Sequence, residues 1–214
     1  MSRLTCSISV SLDGYVAGPD PGPEQGLGAG GEQLHEWIVG LASWREMHHK
    51  EGGEHNPDSD LLQEGLDSTG AIIIGKRMFG GWDGPWGDEP TVGAWGEDPP
   101  FAVPVFVLTH YEREPITLGQ TTFTFVSDGI ESALEQARAA AGGKDVSVGG
   151  GANVIQQYLR ARLLDELQVS VVPVLLGGGV RLLDDLGDEP PKLEQTRVLE
   201  SPNGVAHLRY AVVK

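Results

Sequence analysis

The chain has 214 residues, one cysteine and a formal charge of −16, from 31 acidic against 15 basic residues. That balance opposes binding to a nucleic-acid backbone or to an anionic membrane, both of which need a basic face, and the lone Cys6 excludes an intramolecular disulfide. No apolar stretch reaches the length of a membrane span, and no basic segment leads into a long apolar run near residue 1, so a soluble cytoplasmic protein is expected.

Leu4, Cys6, Ile8, Val10 and Leu12 alternate with Thr5, Ser7, Ser9 and Ser11, which predicts a strand with one apolar face. Cys6 falls on that face and reads as a small core residue. Asp13-Gly14 breaks the strand, and a Gly- and Pro-rich loop runs to Gly31, a length that functional loops reach. Leu34, Trp37, Ile38, Leu41 and Trp44 recur at helical spacing, predicting one helix over 33–50 with both tryptophans in its apolar stripe. A second short helix, capped by Asp58 or Ser59, is expected to run through Leu66. Ala71-Ile72-Ile73-Ile74 reads as a strand buried on both faces, and Gly75-Lys76-Arg77 follows it at once. Residues 80–100, rich in Gly, Pro, Trp and Asp, are expected to form a structured loop.

Strands are predicted over 103–108 and 122–126, then a helix over 129–141 capped by Ser127 or Asp128. A short strand over 146–148 runs into three glycines and an amphipathic helix that ends near 162. A strand over 167–174 and a helical turn over 180–186 precede a terminal antiparallel pair, 193–199 and 205–213, joined through Asn203-Gly204. Alternation of strands and helices argues for an α/β fold whose sheet is mostly parallel and covered on both faces, with antiparallel C-terminal edge strands. We read 1–214 as one domain, with 19–68 as an elaborated insertion.

Ligands of open α/β sheets bind at the carboxyl ends of the strands. Four such ends carry chemistry here. Gly149-Gly150-Gly151 leads into a helix start, where unpaired N–H groups and the dipole suit a phosphate; the bland alternative is a tight strand-to-helix connection. Neither a full dinucleotide fingerprint nor a Walker loop is present. Lys76 and Arg77 form the one adjacent basic pair of an acidic chain. Cations at a helix start oppose its dipole, which favours a bound anion such as an extra phosphate. Thr109 offers a hydroxyl to the same group. Asp13 either orients substrate and relays a proton or simply forms the Asp-Gly turn. His48, His49 and His55, near Glu51 and Glu54, lack convincing zinc spacing and read as solvated loop residues, so no metal is expected. Trp82, Trp86 and Trp95 either wall a flat substrate or pin the loop by packing.

Ser-Leu-Asp-Gly-Tyr-Val-Ala-Gly at 11–18 resembles the opening of the reductase domain of bifunctional riboflavin-biosynthesis proteins. Ile-Ile-Ile-Gly-Lys-Arg-Met-Phe at 72–79, Val-Leu-Thr-His at 107–110, Val-Gly-Gly-Gly-Ala at 148–152 and Pro-Val-Leu-Leu-Gly at 173–177 are similar to later motifs of that family in the same order. The resemblance implies a dihydrofolate reductase-like three-layer sandwich and NADPH as hydride donor to a C=O or C=N carbon of a small substrate. By position, Lys76 and Thr109 would hold the adenosine 2′-phosphate, with Gly75 and Arg77 beside them in the cofactor site. Gly149, Gly150, Gly151, Ala152 and Asn153 would hold the pyrophosphate, and Val16 and Ala17 would lie near the nicotinamide. It also implies a homodimer. Lysine stands where the family usually has arginine after Gly75. Two other readings are a true dihydrofolate reductase, needing a buried carboxylate from Glu36 or Glu46, and a non-catalytic NADP-binding protein.

Overall fold

The alternation that opens the chain becomes strand β1 (Leu4–Ser11), hydrogen-bonded on both sides within a nine-stranded sheet. The computed structural model describes residues 2–80, 82, 84–87 and 93–214, so residues 81, 83 and 88–92 of the expected Gly/Pro loop lie outside it. The sheet contains β3 (Thr69–Gly75), β4 (Val105–Leu108), β5 (Ile116–Leu118), β6 (Thr121–Val126), β7 (Asp145–Gly150), β8 (Glu166–Val172), β10 (Lys192–Glu200) and β11 (Ala206–Val213). Its order is β10-β11-β8-β1-β7-β3-β4-β6-β5. The run from β8 to β6 is parallel throughout. Antiparallel strands finish both edges, β11 and β10 beside β8 and β5 beside β6. This is the mixed, mostly parallel α/β sandwich that the element order implies.

The two faces are chemically different. On one, Leu4, Cys6, Val10, Ala71, Ile73, Val146 and Val148 meet α4 (Ile130–Ala140) and α5 (Ala152–Arg160) through Leu134, Ile155, Tyr158 and Leu159. Each leucine, isoleucine and valine among them stabilises the fold by about 1.5–3 kcal/mol on burial. Burial also pushes the Cys6 thiol up to about 12, so it is an inert core residue. Tyr158 is fully buried and donates its hydroxyl to Ile130 O at 2.8 Å, tying α5 to α4. On the other face, Ile74, Val105, Val107 and Phe123 pack beneath Phe79, Trp86 and Phe101. Helix α2 (Pro57–Ser68) packs on β11 on this side through Asp58–His207 and Glu64–Arg209 contacts. Between these two covers, the floor formed by β1 and β7 stays open.

Several local expectations give way to tertiary hydrogen bonds. The single helix over 33–50 is instead a 3-10 helix (Gly31–His35), a run of turns, and α1 (Ala42–Met47). Glu54 N donates to Gly40 O and Ala42 N to Glu54 O, both at 2.9 Å, so the returning chain takes the backbone groups a continuous helix needs. Trp37 Nε1 turns to Ser9 Oγ and Leu34 O. Trp44 leaves the core, stacking on His48 at 3.8 Å between centroids. The cap of α2 is Asn56, whose Oδ1 accepts from Asp58 N and Ser59 N with Pro57 at the first helical position, rather than Asp58 or Ser59. The helical turn expected over 180–186 is strand β9 (Val180–Arg181), paired with β2 (Tyr15–Ala17), itself a strand inside the expected loop. Gln156 Nε2 holds this segment by donating to Arg181 O and Leu182 O, both at 3.1 Å.

Candidate functional site

A cavity of about 1350 Å³ runs over the open floor and out to the carboxyl ends of the parallel strands. That is more than a single drug-sized ligand fills, since such pockets span about 300–1,000 Å³. Its wall contains each residue of the expected cofactor set: Val16, Ala17, Gly75, Lys76, Arg77, Thr109 and the run Gly149, Gly150, Gly151, Ala152, Asn153. The chain is strongly acidic, yet among the described residues the charged side chains lining this cavity are Arg3, Lys76, Arg77 and Arg209 against Glu64 and Glu166.

The convergence has a packing cause. A Cβ on Gly75 would stand 3.0 Å from Val154 Cγ2 and 3.8 Å from Gly151 N, so the end of β3 meets the start of α5 directly. Val154 N and Ile155 N both donate to Gly151 O, which places the amides of Ala152 and Asn153 ahead of the first intrahelical bonds of α5. The strand is longer than 146–148 and includes Gly149 and Gly150. Lys76 opens the four-residue helix α3 (Lys76–Phe79). Its ammonium donates to Gly84 O and lies 4.4 Å from the Trp86 ring and 5.0 Å from the Tyr111 ring. Two aromatic faces therefore hold the cation in place. Thr109 is buried, and its Oγ1 accepts from Tyr111 N at 3.1 Å, closing the turn that sets Tyr111 beside Lys76. Arg77 is exposed at the rim.

Asp13 is placed differently. It does not line the cavity. Its carboxylate accepts from Leu176 N at 3.2 Å and Gly177 N at 2.7 Å. The Ser11 hydroxyl and these amides hold its pKa at about 2. An acceptor so placed anchors the segment after β8 and is a poor proton relay near neutral pH. Among the tryptophans of the Gly-rich loop, Trp86 packs on Phe79 and Phe125, whereas Trp82 and Trp95 line the cavity with Trp37 and Trp44. Sequence reasoning passed over the polar floor: Ser7, Ser147 and Gln168 belong to it, and the alternating hydroxyls of β1 were its signal.

A buried Ser170–His207–Asp58 chain lies beneath α2, with Ser170 Oγ 2.8 Å from His207 Nδ1 and His207 Nε2 3.2 Å from Asp58 Oδ1. It resembles a nucleophilic triad in composition only. Ser170 sits in the middle of β8 with partners on both sides, where neighbouring amides serve the ladder and offer no oxyanion hole. Burial holds the His207 imidazole below its ordinary value, against the pull of Asp58, and burial does the same to His35. A lowered folded pKa means the unfolded chain binds the proton first on acidification. Their contribution to stability is thus full above pH ~6.5 and falls as the pH drops through the folded values. The thermal midpoint should be lower at pH 5.5 than at 7.5, and a His35→Gln/His207→Gln double variant should show a shallower fall; an unchanged slope would remove these histidines as the cause.

Comparison with known proteins follows the same outline. The family model for the RibD C-terminal domain matches residues 2–207. The chain belongs to the RibD C-terminal domain family. It is 24% identical to the uncharacterized protein YyaP of Bacillus subtilis (strain 168), over 97% of this chain and 94% of that one. A solved chain from Shewanella sp. PV-4 superimposes with a TM-score of 0.65 at 19% identity, covering all of both. A diaminohydroxyphosphoribosylaminopyrimidine deaminase/5-amino-6-(5-phosphoribosylamino)uracil reductase from Thermotoga maritima gives a TM-score of 0.59 at 15% identity. The superposition takes in 99% of this chain and 57% of that bifunctional protein. These likenesses make the sandwich a RibD-type, dihydrofolate reductase-like fold. Among the described residues, no helix is long and apolar enough to cross a membrane.

Proposed function

We propose that the protein is an NADPH-dependent reductase of the riboflavin-biosynthesis type. The observation that carries this reading is the meeting of the α5 start, Lys76 and Thr109 at one end of a cavity whose other walls include Val16 and Ala17. The residues fit the cofactor. Gly151 has φ −77°, and among the described residues a Cβ there would meet nothing within 4 Å, which leaves room beside the start of α5 where a pyrophosphate would lie. Lys76 and Arg77 supply positive charge for a 2′-phosphate. The cofactor, when bound, supplies a hydride. The protein's part is to hold it at one end of the cavity and to present a C=O or C=N carbon of substrate from the other.

The dihydrofolate reductase alternative finds no support in the carboxylates. Glu36 and Glu46 are exposed, and the cavity's own Glu64 and Glu166 are both paired with arginines. We further propose that the protein works as a homodimer in the cytoplasm on a small molecule; light scattering checks the dimer. Calorimetric titration with NADPH and NADH is the first test, followed by turnover of 5-amino-6-(5-phosphoribosylamino)uracil. NADPH is expected to bind and be oxidised; absence of binding by either nucleotide overturns the reading. Replacing Lys76 and Arg77 together with alanine should weaken NADPH about tenfold or more, as expected for losing charge-assisted bonds worth ~1.5–3 kcal/mol. NADH should change little, and an equal loss for both nucleotides would remove the 2′-phosphate assignment.

A further inference from the structure

Ser7 lies in β1, between β8 and β7, and yet it is exposed. It sits in the floor of the cavity, one row from Ser147, with Gln168 as its register partner on β8 and Arg209 beyond that on β11. These side chains are joined in one direction. Arg209 donates to Gln168 Oε1 from Nε at 3.0 Å and from Nη2 at 2.8 Å. Arginine only donates, so the amide orientation of Gln168 is fixed, and its Nε2 donates to Ser7 Oγ at 3.0 Å. Arg209 is held in turn by Glu64 on α2, Nη1 to Oε1 at 2.6 Å. The Arg209 and Arg197 guanidiniums keep the Glu64 carboxyl below its usual range, so this anchor is ionised at neutral pH.

We propose that Arg209, Gln168 and Ser7 form a hydrogen-bond relay that presents the Ser7 hydroxyl proton to an acceptor atom, a ring carbonyl oxygen or ring nitrogen, of the molecule bound in this cavity. The inference deepens the reductase reading and rests on it for calling that molecule the substrate. One lone pair of Ser7 Oγ is filled by Gln168, which turns the O–H away from Gln168 and toward the open floor. A cation at the head of the chain polarises each bond after it and makes the terminal hydroxyl a better donor. Arg209 itself is committed to Glu64 and Gln168, so it acts through Ser7 and is a positioning residue.

The floor also connects this donor to the cofactor end. On β7 the position next to Ser7 is Gly149, where a Cβ would stand 3.1 Å from Ile74 Cγ2 and 3.4 Å from Ile72 Cγ2. Without a side chain there, the surface continues from Ser7 to the glycine turn. Trp37, Trp44, Trp82 and Trp95 also line this cavity. A planar heterocycle suits a cavity with aromatic side chains in its lining and hydroxyls in its floor.

The test titrates the full chain with lumazine, a flat pteridinedione with two ring carbonyls, and separately with NADPH, reading tryptophan fluorescence. Ser7→Ala should weaken lumazine about fivefold to tenfold, the size of one lost hydrogen bond. Ser7→Thr should restore affinity, Gln168→Leu should lower it, and NADPH affinity should stay the same in all three. Lumazine binding that is undetectable in the wild type, or equal in Ser7→Ala, overturns the relay while leaving any NADPH binding, and so the reductase reading, intact. A Ser7→Ala variant that changes oligomeric state and not lumazine affinity overturns it too, because a second copy then covers this floor. Selective loss of lumazine by Ser7→Ala in a protein that ignores NADPH supports the relay and removes the reductase reading.

Discussion

Gly151→Val is expected to lower NADPH affinity by more than about a hundredfold, ~2.7 kcal/mol or more, while costing the fold no more than about 2 kcal/mol, the range for a poor residue at the N-cap of α5. The three glycines at the end of β7 are glycine for different reasons, and the difference makes this experiment decisive. Gly150 has φ +133°, a region closed to other residues, and a Cβ there would lie 3.3 Å from Met78 Sδ. Gly149 faces Ile72, Ile74 and Met78. Gly150→Val should therefore damage fold and binding together. Gly151 has an ordinary φ of −77° and, among the described residues, nothing within 4 Å of its missing side chain. Gly151 is the N-cap of α5, where glycine is preferred to valine by about 1 kcal/mol; a ligand against the backbone adds a second, larger reason. A valine would stand in front of the first amides of α5, where a pyrophosphate must come. Calorimetry with NADPH beside chemical denaturation reads both quantities. If affinity survives in Gly151→Val, the glycine run is a strand-to-helix connection and nothing more.

What the sequence made legible divides by the range of the interactions involved. Parallel strands such as β3 and β4 are short apolar runs whose burial is written in their own residues, and the glycines before α5 mark both a turn and a helix start. Motif order marked the residues expected to hold a cofactor, and packing of Gly75 against Val154 explains why they meet in one cavity. The errors arise where distant backbone decides. Residues 33–50 carry a helical stripe, but the hydrogen bonds of Gly40 and Ala42 go to Glu54. Residues 180–186 look like a turn of helix until Tyr15–Ala17 provides a strand to pair with. The polar floor escaped for a related reason. Ser7, Gln168 and Arg209 are far apart in sequence and become one chain only when β11 pairs with β8 and β8 with β1. Asp13 drew attention because it ends a strand, and its partners at Leu176 and Gly177 come from another part of the chain.

Asp58→Ala is expected to lower the unfolding free energy by about 2–4 kcal/mol, the cost of leaving buried polar groups without a charged partner. Asp58 is fully buried at the start of α2. One carboxylate oxygen meets His207 Nε2 at 3.2 Å, and the other accepts from Ser201 Oγ. Truncation leaves both of these buried groups without their carboxylate partner. Asp58→Asn keeps the volume and one acceptor and should cost less, about 1–2 kcal/mol, because the charge-assisted part of the bonding is lost and the neutral part stays. Denaturant titration separates the three proteins. The consequence extends beyond stability. The same helix carries Glu64, which fixes Arg209 and through it Gln168 and Ser7. Freed at its first turn, α2 should show faster amide exchange while α5, held by Tyr158 on the opposite face, keeps its protection. The polar floor would then lose its order before the glycine turn does. A loss below about 1 kcal/mol, or equal loosening of α2 and α5, would show that the buried aspartate does not anchor the wall of this cavity.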